Sequence, residues 1–142
     1  MISLKQTPTL LAFLNQLFQF ANIKFRNKLE DNLMLHSQCK CGDKDCATVT
    51  LKRAKPWKKK IEGSHHWINT NKGFIIIHFS KQGFLEVEAL NYETFPYKKE
   101  IDKFFKSHCK LKSTLDKRSI DNYFSDLKNE KMNIIDLGDL NV

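Results

Sequence analysis

The stretch GSHHWINTNKGFIIIHFSKQGFLEVEALN, residues 63–91, decides the fold. It reads as three β-strands joined by two turns of one design, Asn71-Lys72-Gly73 and Lys81-Gln82-Gly83, each ending in glycine. A three-residue hairpin loop places its last residue in the left-handed region, where glycine alone is free of strain. Two such loops predict the register. Phe79 faces Leu85, Ile77 faces Val87 and Ile75 faces Ala89, while on the first hairpin Trp67 faces Ile77 and His65 faces Phe79. Strand side chains alternate, so these residues make one apolar, core-facing surface. The other surface carries His66, Ile68, Ile76, His78, Glu86 and Glu88, with His66, His78 and Glu86 in a row.

Upstream, Leu33 to Cys41 and Ala47 to Arg53 form a further hairpin around the turn signal Gly42-Asp43-Lys44-Asp45. A five-residue loop that includes Cys46 keeps Leu33, Leu35, Val49 and Leu51 on one face, whereas a one-residue slip would expose half of them. In that register Cys39 and Cys41 point to the core and Cys46 sits in the turn. Lys52 to Lys60, KRAKPWKKK, is six-ninths basic and reads as a strand end running into an exposed loop. Nearer the N-terminus, Thr7-Pro8 is a helix start, with Thr as N-cap and Pro at the first position. Leu10, Leu14, Leu17 and Ala21 then form a stripe, widened by Leu11, Phe13, Phe18 and Phe20. A helix so broadly apolar packs on a sheet. The charged segment Ile23 to Asp31 is a connection.

Downstream the period changes from two to that of a helix. Tyr97, Ile101, Phe104, Phe105 and His108 predict one helix beginning near Pro96 and capped by Thr94. A second is predicted from Ser119, burying Ile120, Tyr123, Phe124 and Leu127. In the tail, Ile134-Ile135 and Leu137 before Gly138 leave two options, an edge strand or a surface segment. The expectation is an α+β fold in a single domain over residues 1–142: an N-terminal helix, a five-stranded antiparallel meander sheet and two C-terminal helices packed on one face.

Length and composition bound the function. A chain of 142 residues buries enough surface to fold without a disulfide or metal staple. No run is long enough to span a bilayer, so no membrane partner is expected. Asn15, Gln16 and Gln19 break the first apolar run and no small-residue cleavage site follows, which argues against an export signal and for a cytoplasmic location. In that compartment Cys39, Cys41, Cys46 and Cys109 are reduced thiols or metal ligands. The net charge of +8 is uneven: residues 24–60 hold eleven Lys/Arg against four Asp/Glu, and residues 113–142 hold four against six. A basic patch calls for an acidic partner, whether nucleic acid, membrane surface or protein.

Three clusters could carry chemistry. Cys39, Cys41 and Cys46 have the spacing Cys-x-Cys-x4-Cys, which departs from the paired Cys-x2-4-Cys turns of zinc sites. They read first as small buried hydrophobic cysteines, with zinc or redox-active thiols as alternatives. A fourth metal ligand would come from His36, His65, His66, His108 or Cys109. The row His66, His78 and Glu86 has the side chains for acid–base work or metal binding, against the plainer reading of a solvated sheet face. The loop with Lys52, Arg53, Lys55, Trp57, Lys58, Lys59 and Lys60 could grip phosphates while the indole stacks on a base, or serve as a protein contact. No glycine-rich phosphate loop, Gly-x-Ser-x-Gly elbow or His-Glu-x-x-His motif is present, so no enzyme is expected and no cofactor is required.

Two segments together carry a resemblance: CKCGDKDCATVTL, Cys39 to Leu51, and GFIIIHFSKQGFLEVEALNYETFPY, Gly73 to Tyr97. Over about residues 33–97 the chain resembles small bacterial immunity proteins of contact-dependent growth inhibition and other polymorphic toxin systems. In these a Cys/Gly-rich hairpin precedes a strand, a turn and a Leu-Glu-Val-Glu strand that closes the sheet. The resemblance implies a non-enzymatic cytosolic protein that binds and blocks one cognate toxin domain. The contact would draw on the Lys52 to Lys60 loop and the face around His66, His78 and Glu86. The acidic C-terminal third, with Asp116, Asp121, Asp126 and Glu130, offers a second, less basic side. The alternatives are a basic nucleic-acid-binding module with a structural zinc at Cys39, Cys41 and Cys46, and a small hydrolase using the histidine row.

Overall fold

The computed structural model describes residues 2–70, 72–91, 94–106, 113–128, 133–135 and 140–141. The elements in order are β1 (Ile2–Ser3), α1 (Pro8–Phe20), β2 (Ile23–Lys24), the single turn α2 (Leu29–Asn32), β3 (Leu33–Gln38), β4 (Val49–Arg53), β5 (His65–Thr70), β6 (Gly73–Phe79), β7 (Phe84–Asn91), α3 (Lys98–Lys106), α4 (Lys117–Lys128), β8 (Asn133–Ile135) and β9 (Leu140–Asn141). The fold is α+β, built on an antiparallel sheet. Its order is β1-β3-β4-β7-β6-β5-β8, and β2 and β9 make a separate parallel pair.

The sheet is not a five-stranded sequential meander. β4 pairs with β7, placing Val49 opposite Val87 and Leu51 opposite Leu85. Residues 54–64 therefore cross from the middle of the sheet to β5 near its far edge. All four paired side chains are fully buried, which favours this pairing over a β4–β5 neighbour contact. The tail supplies β8, antiparallel to β5 through Trp67–Ile135 and Asn69–Asn133. Leu137 and Gly138 of the same segment lie outside the described residues.

The second hairpin has the register expected. Phe79 pairs with Leu85, Ile77 with Val87 and Ile75 with Ala89, and Gly83 at the end of the loop has φ +82°. The first hairpin is displaced by one residue. Thr70 pairs with Gly73, so the loop has two residues, and His65 faces His78, His66 faces Ile77 and Trp67 faces Ile76. Asn71 lies outside the described residues. Gly73 is a strand residue here. A Cβ on it would come within 2.0 Å of the Leu90 carbonyl oxygen and 2.8 Å of Asn91 Cα, so close approach of β7 requires the glycine.

A single core joins the inward residues of the sheet to α1, α3 and α4. It contains Leu10, Phe13, Leu14 and Leu17 of α1, Leu35, Val49, Ile77 and Val87 of the sheet, Ile101 of α3, and Ile120 and Phe124 of α4. Phe13 is its aromatic centre, with ring centroids of Tyr97, Phe124, Tyr123 and Phe95 at 4.9, 5.1, 5.3 and 5.9 Å. α1 starts at Pro8 as expected, but Thr7 makes no side-chain cap. The Glu100 carboxylate of α3 caps the helix instead, accepting from the amides of Thr9 (3.0 Å) and Leu10 (2.9 Å) and from the Ser113 hydroxyl. Glu100 is buried. A carboxylate at a helix N-terminus satisfies orphan N–H groups and favours the dipole, so this contact ties α3 to α1. α4 begins at Lys117 rather than Ser119, because Asp116 is its N-cap: its carboxylate accepts from Ser119 N (3.1 Å) and Ser119 Oγ (2.7 Å). Among the described residues no helix is long and apolar enough to cross a membrane.

Candidate functional site

Helices cover one face of the sheet, and among the described residues no element covers the other. Alternation from the buried positions puts Met34 of β3, Thr50 and Lys52 of β4, Phe84, Glu86, Glu88 and Leu90 of β7, Phe74, Ile76 and His78 of β6, and His65, Trp67 and Asn69 of β5 on the open side. None of its apolar members, Met34, Trp67, Phe74, Ile76, Phe84 or Leu90, packs against the core. Trp67 is 38% exposed, Met34 37% and Leu90 36%.

Cross-strand rows organise this face. One row runs Trp67–Ile76–Glu88, and the next runs Asn69–Phe74–Leu90. The Trp67 and Phe74 ring centroids lie 6.3 Å apart, and Trp67 Nε1 donates to Asn69 Oδ1 at 2.8 Å. Trp67, Phe74, Ile76 and Leu90 thus form an apolar patch at one end. Toward the other end Lys52 Nζ sits 4.9 Å from the Phe84 ring centroid, His36 packs edge-on to the same ring at 5.3 Å, and Met34 pairs with Lys52. Between the two runs the row His65–His78–Glu86–Thr50–Ser37.

The expected row of His66, His78 and Glu86 is corrected by this register. His66 is fully buried on the core face opposite Ile77, near the Phe79 ring. His65 takes its place, with its ring 6.4 Å from that of His78. His78 and Glu86 stay on the open face, paired across β6 and β7. Two adjacent histidines in the sequence made the two registers look alike at this row.

Trp57 is the second correction. The loop was expected to expose it, yet it is 4% exposed. Its Nε1 donates to the Phe84 carbonyl at 3.0 Å, its ring meets Phe79 edge-on at 5.2 Å, and the Arg53 guanidinium lies over it at 5.0 Å. The indole anchors the β4–β5 crossover to the β6–β7 hairpin and has no free ring face for a base. Lys55, Lys58, Lys59 and Lys60 are exposed as expected, and Lys52 and Arg53 are half-buried. The lysines form a basic rim at the end of the sheet where β4 stops and β5 starts.

The third correction concerns the cysteines. β3 carries a bulge at His36, since Leu35 pairs with Leu51 but Ser37 pairs with Thr50. A bulge inserts one unpaired residue and reverses the alternation beyond it. Leu33, Leu35, Val49 and Leu51 still share the core, but Cys39 and Cys41 turn outward and are exposed, with Cys46 half-buried. The three sulfurs lie within 4.8 Å of one another, a set able to hold a metal ion. Cys46 Sγ donates to Thr48 Oγ1 at 3.4 Å. The Asp43 amide, helped by the Cys46 and Cys39 thiols, lowers the Cys41 pKa below the usual thiol value. For Cys39 the Cys41 amide pulls down, but the Cys41 thiol, burial and Cys46 raise it on balance. The thiolate is therefore favoured at Cys41 over Cys39. Among the described residues no His, Asp or Glu joins the three sulfurs. His108, Cys109 and Glu130 lie outside the described residues.

Four clefts on the described surface are lined by residues other than His65, His78 and Glu86. No protein-family model matches the chain, and no curated protein or solved structure gives a significant match.

Proposed function

We propose that this chain is a non-enzymatic immunity protein that acts in the cytoplasm by docking its open sheet face on one cognate toxin domain. The observation that carries the reading is the apolar patch of Trp67, Phe74, Ile76 and Leu90 on a sheet face that, among the described residues, no element covers. Apolar anchors surrounded by polar residues suit a protein interface, in which a few aromatic side chains carry most of the energy. The row His65, His78 and Glu86 borders the anchors. Lys55, Lys58, Lys59 and Lys60 form a rim that favours a partner with an acidic margin and speeds encounter. His66 and Trp57, being buried, hold this surface in place from beneath.

The alternative is a basic nucleic-acid-binding module with a structural zinc. Phosphate binding by a sheet needs cations across the face and rings open to stacking. Here Glu86 and Glu88 lie in the middle of the face, Trp57 is covered, and the lysines cluster at the end away from the exposed Trp67 ring. A hydrolase would draw its histidines into a concave, largely apolar pocket, and the His65–His78 pair lies on an open sheet. The protein-partner reading accounts for more of these features.

The test is co-expression of the chain with toxin domains encoded next to its gene, scoring growth and recovery of a complex. Rescue by the wild type, lost in a Trp67→Ala/Leu90→Asp variant that stays folded, supports the reading. Binding to single-stranded RNA or DNA that collapses between low and moderate salt, with no toxin rescued, would replace it with the nucleic-acid module.

A further inference from the structure

We propose that Cys39, Cys41 and Cys46 bind one zinc ion through three thiolates, leaving a fourth coordination position open to water. The site adjoins the apolar docking patch, since Cys46 bridges to Leu90, but its zinc binding does not depend on the proposed partner. Cysteine is among the most buried residue types and packs as a small hydrophobe when it has no other task. Here two of the three are exposed, so packing does not explain them. The chain instead converges them. The bulge at His36 turns Cys39 and Cys41 to the same outward side. Gly42, at φ +80° with open space around its α-carbon, reverses the chain. The Asp43 side chain and carbonyl then accept from the amides of Asp45 (2.9 Å) and Cys46 (3.1 Å), which closes the turn.

Both arms are pinned. On one side the Cys39 amide donates to the Thr48 carbonyl at 2.9 Å. On the other Cys46 bridges to Leu90, flanked by Ala47 N to Ala89 O (2.9 Å) and Asn91 N to Asp45 O (3.1 Å). The sulfurs are therefore brought together by backbone that is already fixed. Tetrahedral zinc with Zn–S bonds of about 2.3 Å needs sulfurs roughly 3.8 Å apart. A set already within 4.8 Å reaches that spacing by side-chain rotation. Three thiolates on a divalent ion leave one negative charge, and the exposed Lys40 and Lys44, interleaved with the cysteines, lie where they would offset it. An all-sulfur set selects a thiophilic ion over magnesium or calcium.

The experiment uses the full chain, reduced and with free thiols counted beforehand. One equivalent of Co2+ should give a sulfur-to-cobalt charge-transfer band of three-thiolate intensity, displaced by one equivalent of Zn2+. Zinc addition near neutral pH should release protons from the wild-type thiols, a readout that needs no variant. Cys39→Ser, Cys41→Ser and Cys46→Ser should each weaken zinc binding by at least about 100-fold, while Cys109→Ser should leave it unchanged. The proposal fails if the reduced wild type takes up no zinc and releases no protons, or if it holds Cu+ but not Zn2+. Zinc retained by the triple Cys→Ser variant would also refute it, and loss of zinc in Cys109→Ser would refute the open fourth position.

Discussion

The two tryptophans make opposite contributions, and exchanging each for alanine separates them. Trp57 is buried, edge-on to Phe79, under the Arg53 guanidinium and hydrogen-bonded through Nε1 to the Phe84 carbonyl. Trp57→Ala empties a volume that the crossover and the hairpin cannot both move to fill, and it removes one donor from that carbonyl, which keeps those of Ser80 N and Oγ. Buried Trp→Ala changes cost about 3–5 kcal/mol, against a total domain stability of about 5–15 kcal/mol. With a urea slope of about 2 kcal/mol per molar, the midpoint should fall by roughly 1.5–2.5 M. Trp67 is 38% exposed, and its indole meets the open-face residues Phe74 and Asn69. Trp67→Ala should stay within about 0.5–1 kcal/mol of wild type. Because the chain has two tryptophans, Trp67→Phe leaves Trp57 as the sole reporter. Its emission should be blue-shifted and slow to quench with acrylamide, while Trp57→Phe should leave a red-shifted, quenchable Trp67. Equal midpoints for the two alanine variants, or equal quenching of the two lone indoles, would refute the placement of Trp57 as a buried anchor of the crossover.

Other variants probe the remaining joints. Glu100→Ala strips the amides of Thr9 and Leu10 of a buried acceptor and should cost about 2–4 kcal/mol in urea unfolding, with Glu100→Gln recovering part of it. Gly73→Ala would drive a methyl into the Leu90 carbonyl at a backbone angle of +148° and should cost roughly 3 kcal/mol or more; a neutral outcome would mean that β6 and β7 are not so close. Asp116 has its pKa lowered by the Ser119 hydroxyl and then the Ser119 amide. Its folded value lies below its unfolded one, so its stabilisation of α4 is present above the ordinary Asp range and is lost as pH falls through the lowered value. Asp116→Asn should flatten that acid-side loss of helicity, followed by circular dichroism. Under the proposed function, Trp67→Ala should weaken toxin binding by about 2 kcal/mol, roughly 30-fold in Kd, by calorimetry, without lowering thermal stability.

What the sequence made legible was local. The Lys81-Gln82-Gly83 loop fixed the β6–β7 register because its glycine does sit at positive φ. The four-residue apolar set Leu33, Leu35, Val49 and Leu51 was readable because burial demands one face. The first hairpin misled because Gly73 looks the same in sequence whether it closes a loop or lets a neighbouring strand approach, and only β7 distinguishes the two. The outward turn of Cys39 and Cys41 depends on a bulge at His36, a residue with no turn signature. Trp57 was misplaced because its burial arises from a crossover that pairs β4 with β7, a contact between segments more than thirty residues apart. The Asp116 cap was missed, because the apolar run beginning at Ile120 set the expected start at Ser119, whereas the Glu100 cap of α1 joins elements some ninety residues apart and left no local trace.

The one-residue difference in the first hairpin bears on function more than on fold. In the expected register Trp67 would fill the core, and the open face would offer Ile68 and Ile76 among polar groups. With the observed pairing His66 and Ile68 go inward, and Trp67 joins Ile76 beside Phe74 and Leu90. The histidine row survives the change almost untouched, because His65 replaces His66 beside His78. A row equally available in either register does not discriminate between them, whereas the apolar patch of Phe74, Ile76 and Leu90 gains its indole in only one. The chain leaves an indole and a Phe–Leu pair on the solvent side of a sheet whose other side already has a complete core. Exposing that surface has no benefit for the isolated fold, and under the proposed function shared burial against a second protein would account for it.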